Sequence, residues 1–170
     1  MTPQQVSDHL EIQQVLYRYC RGVDRGDLAL LKSAYHADAY DDHGSFKGSG
    51  HAFAEYIVER MNGVAVQGQH QVTNTLIELD GNAAAVESYF IALNPELDAA
   101  GNPAIAMVTG RYLDRFEKRD GAWKIAARKV IIDHAEAAMP RAPWSRLDRF
   151  TTGERGPGDA SCTLMPFGRG

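Results

Sequence analysis

The sequence predicts an α+β fold, with three helices followed by an antiparallel meander whose curved sheet they cover on one face. Three observations carry this. Apolar residues recur at three- and four-residue spacing as far as Met61. From Gln69 onwards the period changes to two. Asp80-Gly81-Asn82 and Asp120-Gly121 fall between period-two runs, where tight hairpins need such residues.

Taken in order, Ile12, Val15, Leu16, Tyr19 and Val23 form one apolar stripe, giving a helix over residues 3–21. Gly22 and Gly26 interrupt it, and Asp27 can cap a second helix from Leu28 to Tyr35. Asp38 to Gly48 is rich in turn formers and carries at most a short strand. Ser49 or Gly50 starts a third helix through Met61, with Phe53, Ile57 and Met61 on one side. Four strands follow, roughly 69–79, 83–94, 103–118 and 122–135; the link from Asn94 to Pro103 is longer and should protrude. The domain therefore spans residues 1–137. A tail, 138–170, contains Pro140, Pro143 and five arginines with little periodicity. Trp144, Leu147 and Phe150 give it something to bury, on the pocket or on a neighbouring subunit.

A chain of 170 residues is enough for one domain with a sizeable core. The net charge of −4 leaves no excess of cations for nucleic acid. Cys20 and Cys162 form no CxxC pair and read as reduced thiols. The first residues show no basic or apolar leader pattern, and no apolar run approaches the ~18–20 residues that span a bilayer. These features predict a soluble, cytoplasmic protein with neither nucleic acid nor membrane as partner.

His70 is the first candidate for chemistry. Strand alternation places His70, Val72 and Asn74 on one face, and polar groups there are satisfied more naturally by a pocket than by a packed core. Asp24, between the two glycines, is the second; an acid that orients a histidine is the minimum apparatus for proton abstraction without a cofactor. Tyr19 is the third, but on a regular helix it sits about 140° around from Asp24, so only a break at Gly22 would make the two converge. Asp41-Asp42-His43-Gly44 holds carboxylates and imidazole in reach of His36 and His51, yet matches no HExxH or carboxylate-triad spacing, so no metal is expected. His43 is instead a candidate polar liner of a pocket. On the last strands Arg128, Val130, Ile132 and His134 share one face, while Lys129, Ile131 and Asp133 share the other; the sequence does not say which is concave. Arg111, His134, His43 and Asn74 are the candidate substrate contacts. GxGxxG, P-loop and GxSxG patterns are absent, so no nucleotide cofactor and no serine nucleophile are expected.

Helix–Gly22-Val23-Asp24-x-Gly26-Asp27, Asp41-Asp42-His43-Gly44-x-Phe46-x-Gly48, Gln69-His70-x-Val72-Thr73-Asn74 and the run Gly110 to Ile125 together resemble the SnoaL-like branch of the nuclear-transport-factor-2-like superfamily. The resemblance covers about residues 5–136. It implies a cone, also called a cystatin-like roll: a strongly curved sheet, mixed or antiparallel, wrapped against three helices, with a pocket at its wide end. The chain is similar to a cofactor-independent lyase group within that superfamily, which includes hexachlorocyclohexane dehydrochlorinase, scytalone dehydratase and bile-acid 7α-dehydratase. Their Asp–His dyad falls on Asp24 and His70, and a tyrosine five residues before the acid matches Tyr19. His134 departs from the pattern, because related sequences often carry an aromatic there. The tail's Arg146-x-x-Arg149-Phe150-x-x-Gly153-x-Arg155-Gly156 also resembles family tails.

The resemblance implies a dehydratase or dehydrohalogenase acting on a cyclic, mostly apolar small molecule. His70 would be the base, Asp24 its orienting partner, and Tyr19 a donor to a carbonyl or leaving oxygen. An isomerase, a polyketide cyclase or a binding protein without turnover could use the same fold. Self-association is expected, as a trimer in the lyase group and a dimer in other branches.

Overall fold

A computed structural model describes residues 1–62, 67–137, 139–140 and 145–164. Helix α1, Pro3–Arg25, starts in a capping box: Thr2 accepts from the Gln5 backbone at 3.2 Å, and the Gln5 side chain accepts from the Thr2 backbone at 2.8 Å. It ends at Gly26 in the left-handed conformation, φ 66°. Gly22 does not break it. A Cβ at Gly22 would lie 2.8 Å from the backbone of Leu31, so glycine lets helix α2, Leu28–Ser33, pack against α1. Asp27 caps α2 through the Leu30 N–H at 2.9 Å.

The segment expected to hold at most a short strand is an eight-residue strand, β1, Tyr35–Asp42, joined by a turn to β2, Lys47–Ser49. Helix α3, Gly50–Asn62, follows. Strands β3, Gln69–Asp80, β4, Ala83–Leu97, β5, Pro103–Arg119, and β6, Ala122–Ala135, form the meander. Asp120 and Gly121 both have positive φ, 52° and 78°, which matches the hairpin twist. The Asn94–Pro103 link is shorter than expected. Its strands run on to pair Leu97 with Pro103, and Asp98 closes the turn by accepting from the Ala100 and Asn102 backbones. Pro95 is tolerated within β4 because β3 begins opposite Leu93, leaving that stretch with one partner strand.

The sheet order is β2-β1-β6-β5-β4-β3, and β1 runs parallel to β6. The sheet is therefore mixed, not a pure meander. β1 and β3 come from opposite sides of a curved, unclosed sheet, and α1 lies against its inner face in contact with β3 and β6. Ile12, Leu16, Tyr19, Leu31, Phe53, Phe116 and Ile125 are almost completely buried there. Burial of such side chains stabilises by about 1.5–3 kcal/mol each. No helix among the described residues is long and apolar enough to cross a membrane.

In the tail, Met139–Pro140 adds a two-residue strand, β7, to β5, and a short helix, α4, spans Ala160–Leu164. Leu147 and Phe150, expected to be its apolar anchors, are exposed, and Trp144 lies outside the described residues. Polar contacts fasten the tail instead. Arg155 Nη1 donates to the carbonyls of Val23 at 2.7 Å and Asp24 at 3.2 Å, and the Gly156 N–H donates to Arg25 at 2.7 Å. These carbonyls lie in the last turn of α1; Val23 also accepts the Gly26 N–H at 3.3 Å.

Candidate active site

Asp24, in the last turn of α1, and His70, at the second position of β3, meet through side chains that are about 11% and 10% exposed. Asp24 Oδ1 lies 2.7 Å from His70 Nδ1, and Asp24 Oδ2 accepts the His70 backbone N–H at 3.0 Å. An ionised carboxylate only accepts, so Nδ1 carries the hydrogen, and in the neutral ring Nε2 is the nitrogen with the free lone pair. Gripping both the ring and the backbone of one residue fixes the imidazole's tautomer and its plane.

Tyr19 does not join this pair. Because α1 is unbroken, Tyr19 and Asp24 leave it in different directions. The Tyr19 hydroxyl lies 3.2 Å from His43 Nε2, and His43 Nδ1 is in short contact with Asp41 Oδ1. Asp41, fully buried on β1, also accepts from the Tyr35 hydroxyl at 2.7 Å. The His43 ring stacks on Phe53 with centroids 3.8 Å apart. Burial holds His43 below the usual imidazole range despite the pull of Asp41, so it is neutral near pH 7. Burial pushes the Tyr19 hydroxyl far above its ordinary value, so it stays protonated.

Behind Tyr19, Arg128 on β6 and Asp114 on β5 form a fully buried two-pronged ion pair at 2.7 and 2.6 Å. Burial works against the guanidinium charge, but Asp114 outweighs it and keeps Arg128 charged. The guanidinium sits 4.1 Å from the ring centres of both Tyr19 and Tyr112. Cys20, buried nearby, is pushed up to about 12 by burial and by Asp24, which makes it an inert thiol.

A cavity of about 140 Å³ is lined by Tyr19, His43, His70, Tyr112 and apolar residues such as Phe90 and Val130, with Ser45, Arg60, Asn94 and Glu96 also on its wall. A larger groove, about 640 Å³, runs outside α1 and touches Asp24 and His70. Asp24 lines the groove but not the cavity. His70 lines both, so its side chain stands between the groove and the cavity. Among the described residues, no group of three or more His, Cys, Asp or Glu is arranged to hold a metal ion.

The structure brings His70, Tyr19 and His43 around one cavity, with Asp24 holding His70 from the groove side, and leaves three predicted contacts outside it. Asn74 is exposed because the β3–β4 register shifts between Val72 and Thr75, which ends the alternation begun at His70. His134 is exposed and contacts Glu136. The β5–β6 register slips between Thr109 and Gly110, so His134 pairs with Thr109 instead of continuing the Arg128–Ile132 face. Arg111 pairs with Asp133 at 2.9 and 3.0 Å, away from the cavity-lining Val108 and Tyr112. Asp41, Asp114, Arg128 and Tyr112 were not singled out as site residues. The signals were the Asp41-x-His43 spacing and two charged residues on the apolar face of strand runs.

The SnoaL-like domain family profile matches residues 4–129. An uncharacterized protein of Mycobacterium tuberculosis is 27% identical over 127 residues, 73% of this chain and 84% of the relative. A structure of another Mycobacterium tuberculosis protein, of unknown function, has a TM-score of 0.60 at 30% identity, covering 74% of this chain and 76% of that one. The hexachlorocyclohexane dehydrochlorinase of Novosphingobium barchaimii has a TM-score of 0.67 at 20% identity, covering 82% of this chain and 97% of that one, a likeness of fold. With the curved mixed sheet, the three helices and a family match over most of its length, the chain belongs to the SnoaL-like domain family.

Proposed function

We propose that the protein is a cofactor-independent lyase, of dehydratase or dehydrohalogenase type, acting on a small and mostly apolar cyclic molecule. The observation that carries this reading is His70: Nδ1 is fixed by buried Asp24, and the ring borders a cavity that Asp24 does not reach. His70 Nε2 takes a proton from carbon next to the leaving group, the electron pair forms the double bond, and water or halide departs. Asp24 holds the tautomer and stabilises the imidazolium that forms.

Relatives of the same fold that include a dehydrochlorinase support the lyase reading over isomerisation. The test is turnover of cyclic alcohols and halides with product analysis. Loss of water or halide that disappears in His70→Ala supports the proposal. Products of unchanged mass point to an isomerase or cyclase, and saturable binding without any turnover points to a binding protein. Self-association belongs to the same proposal, and light scattering distinguishes trimer, dimer and monomer.

A further inference from the structure

The cavity holds a second histidine that proton abstraction does not use. Asp41 is fully buried, and its carboxylate only accepts, so the hydrogen between it and His43 belongs to His43 Nδ1. Burial keeps a second proton off the ring, which leaves Nε2 as an acceptor. The Tyr19 hydroxyl is the group at that lone pair, and its hydrogen points there. The Tyr19 oxygen therefore offers only lone pairs to the cavity. This reverses the role implied by the resemblance, in which Tyr19 donates to a carbonyl.

The cavity's about 140 Å³ is close to the ~150 Å³ of an apolar cavity that holds benzene. Phe90, Met61, Val108 and Val130 supply apolar walls. We propose that the site takes a single-ring alcohol or phenol whose hydroxyl hydrogen is accepted by Tyr19, with the Asp41–His43 pair holding the tyrosine's own hydrogen away. The hydroxyl is a recognition group, and no bond to it breaks. The inference deepens the preceding reading and rests on it only in taking the cavity as the ligand site.

The experiment is calorimetric titration with cyclohexanol and cyclohexanone, matched in ring and differing in whether they can donate, at about pH 8, above the ordinary imidazole value. Wild type should bind the alcohol roughly tenfold more tightly, the worth of one hydrogen bond. Tyr19→Phe should erase the difference, and His43→Phe, which frees the tyrosine hydrogen, should bring the ketone level. Equal or tighter ketone binding by wild type, a preference that survives Tyr19→Phe, or no saturable binding of either compound would each overturn the inference. Should His43→Phe fail to fold, nitrogen-15 NMR of wild type reads the His43 tautomer directly: hydrogen on Nδ1 is expected, and hydrogen on Nε2 overturns the proposal. Binding needs no turnover, so the two readings fail separately. An alcohol preference in a protein without elimination activity sinks only the lyase, and His70-dependent elimination without the preference sinks only this inference.

Discussion

Asp24 grips His70 twice, at the ring nitrogen and at the backbone N–H, so one carboxylate sets both the tautomer and the position of the proposed base. Asp24→Asn keeps the shape but loses the charge that favours the imidazolium. It should lower turnover by about 10²–10⁴-fold, and His70→Ala by at least as much. Steady-state rates on an identified substrate check this; wild-type rates in both variants would remove the dyad from the mechanism.

The Asp114–Arg128 pair has no solvent to fall back on. Asp114→Ala should destabilise the fold by about 3–5 kcal/mol, because it strands a buried guanidinium between two tyrosine rings. Urea unfolding gives the value directly. A loss below about 1 kcal/mol would mean that the guanidinium finds another partner.

Gly22 lets α1 and α2 approach closely through the absence of a side chain. A methyl group 2.8 Å from Leu31 forces the helices apart, so Gly22→Ala should cost about 1–3 kcal/mol despite alanine's better helix propensity. Its denaturation midpoint should fall. A rise would show that the contact relaxes freely.

His43 makes stability depend on pH. Asp41 on β1, Tyr19 on α1, Asp114 on β5 and Arg128 on β6 surround it, and burial keeps its folded-state affinity for protons below that of the unfolded chain. Between the depressed value and the unfolded value of about 6.5, the unfolded chain binds more protons. Stability therefore rises with pH through that window and is lost as pH falls. His36, also lowered by burial, adds the same sign. Urea unfolding from about pH 5 to pH 8 should show the slope, reduced in His43→Phe; a slope of opposite sign would mean that His43 is charged in the folded protein.

The four long strands and the first helix were legible because their signals are local: a period in the sequence and a turn residue between periods. Asp24 and His70 were legible as candidates from an acid beside helix-ending glycines and a histidine opening a strand. Asp41 was not recognised as a partner, because its strand is stabilised by parallel pairing with β6, far along the chain, and its own residues are those of turns. Asn74 and His134 were misplaced for one reason: a register shift reverses the side-chain alternation from which each was read. Arg111 needed a choice of face that only the packed sheet makes.

The parallel pairing of β1 with β6 also brings two distant parts of the chain together beside the cavity. The Asp24–His70 wall joins α1 to β3 within the first half of the chain, whereas the strand carrying Asp41 pairs locally with the three-residue β2 and takes its other partner from residues 125–129. The proposed base and the Asp41–His43 wall therefore draw on different lengths of chain. β6, the last long strand, is thus what ties the strand carrying Asp41 to the rest of the sheet.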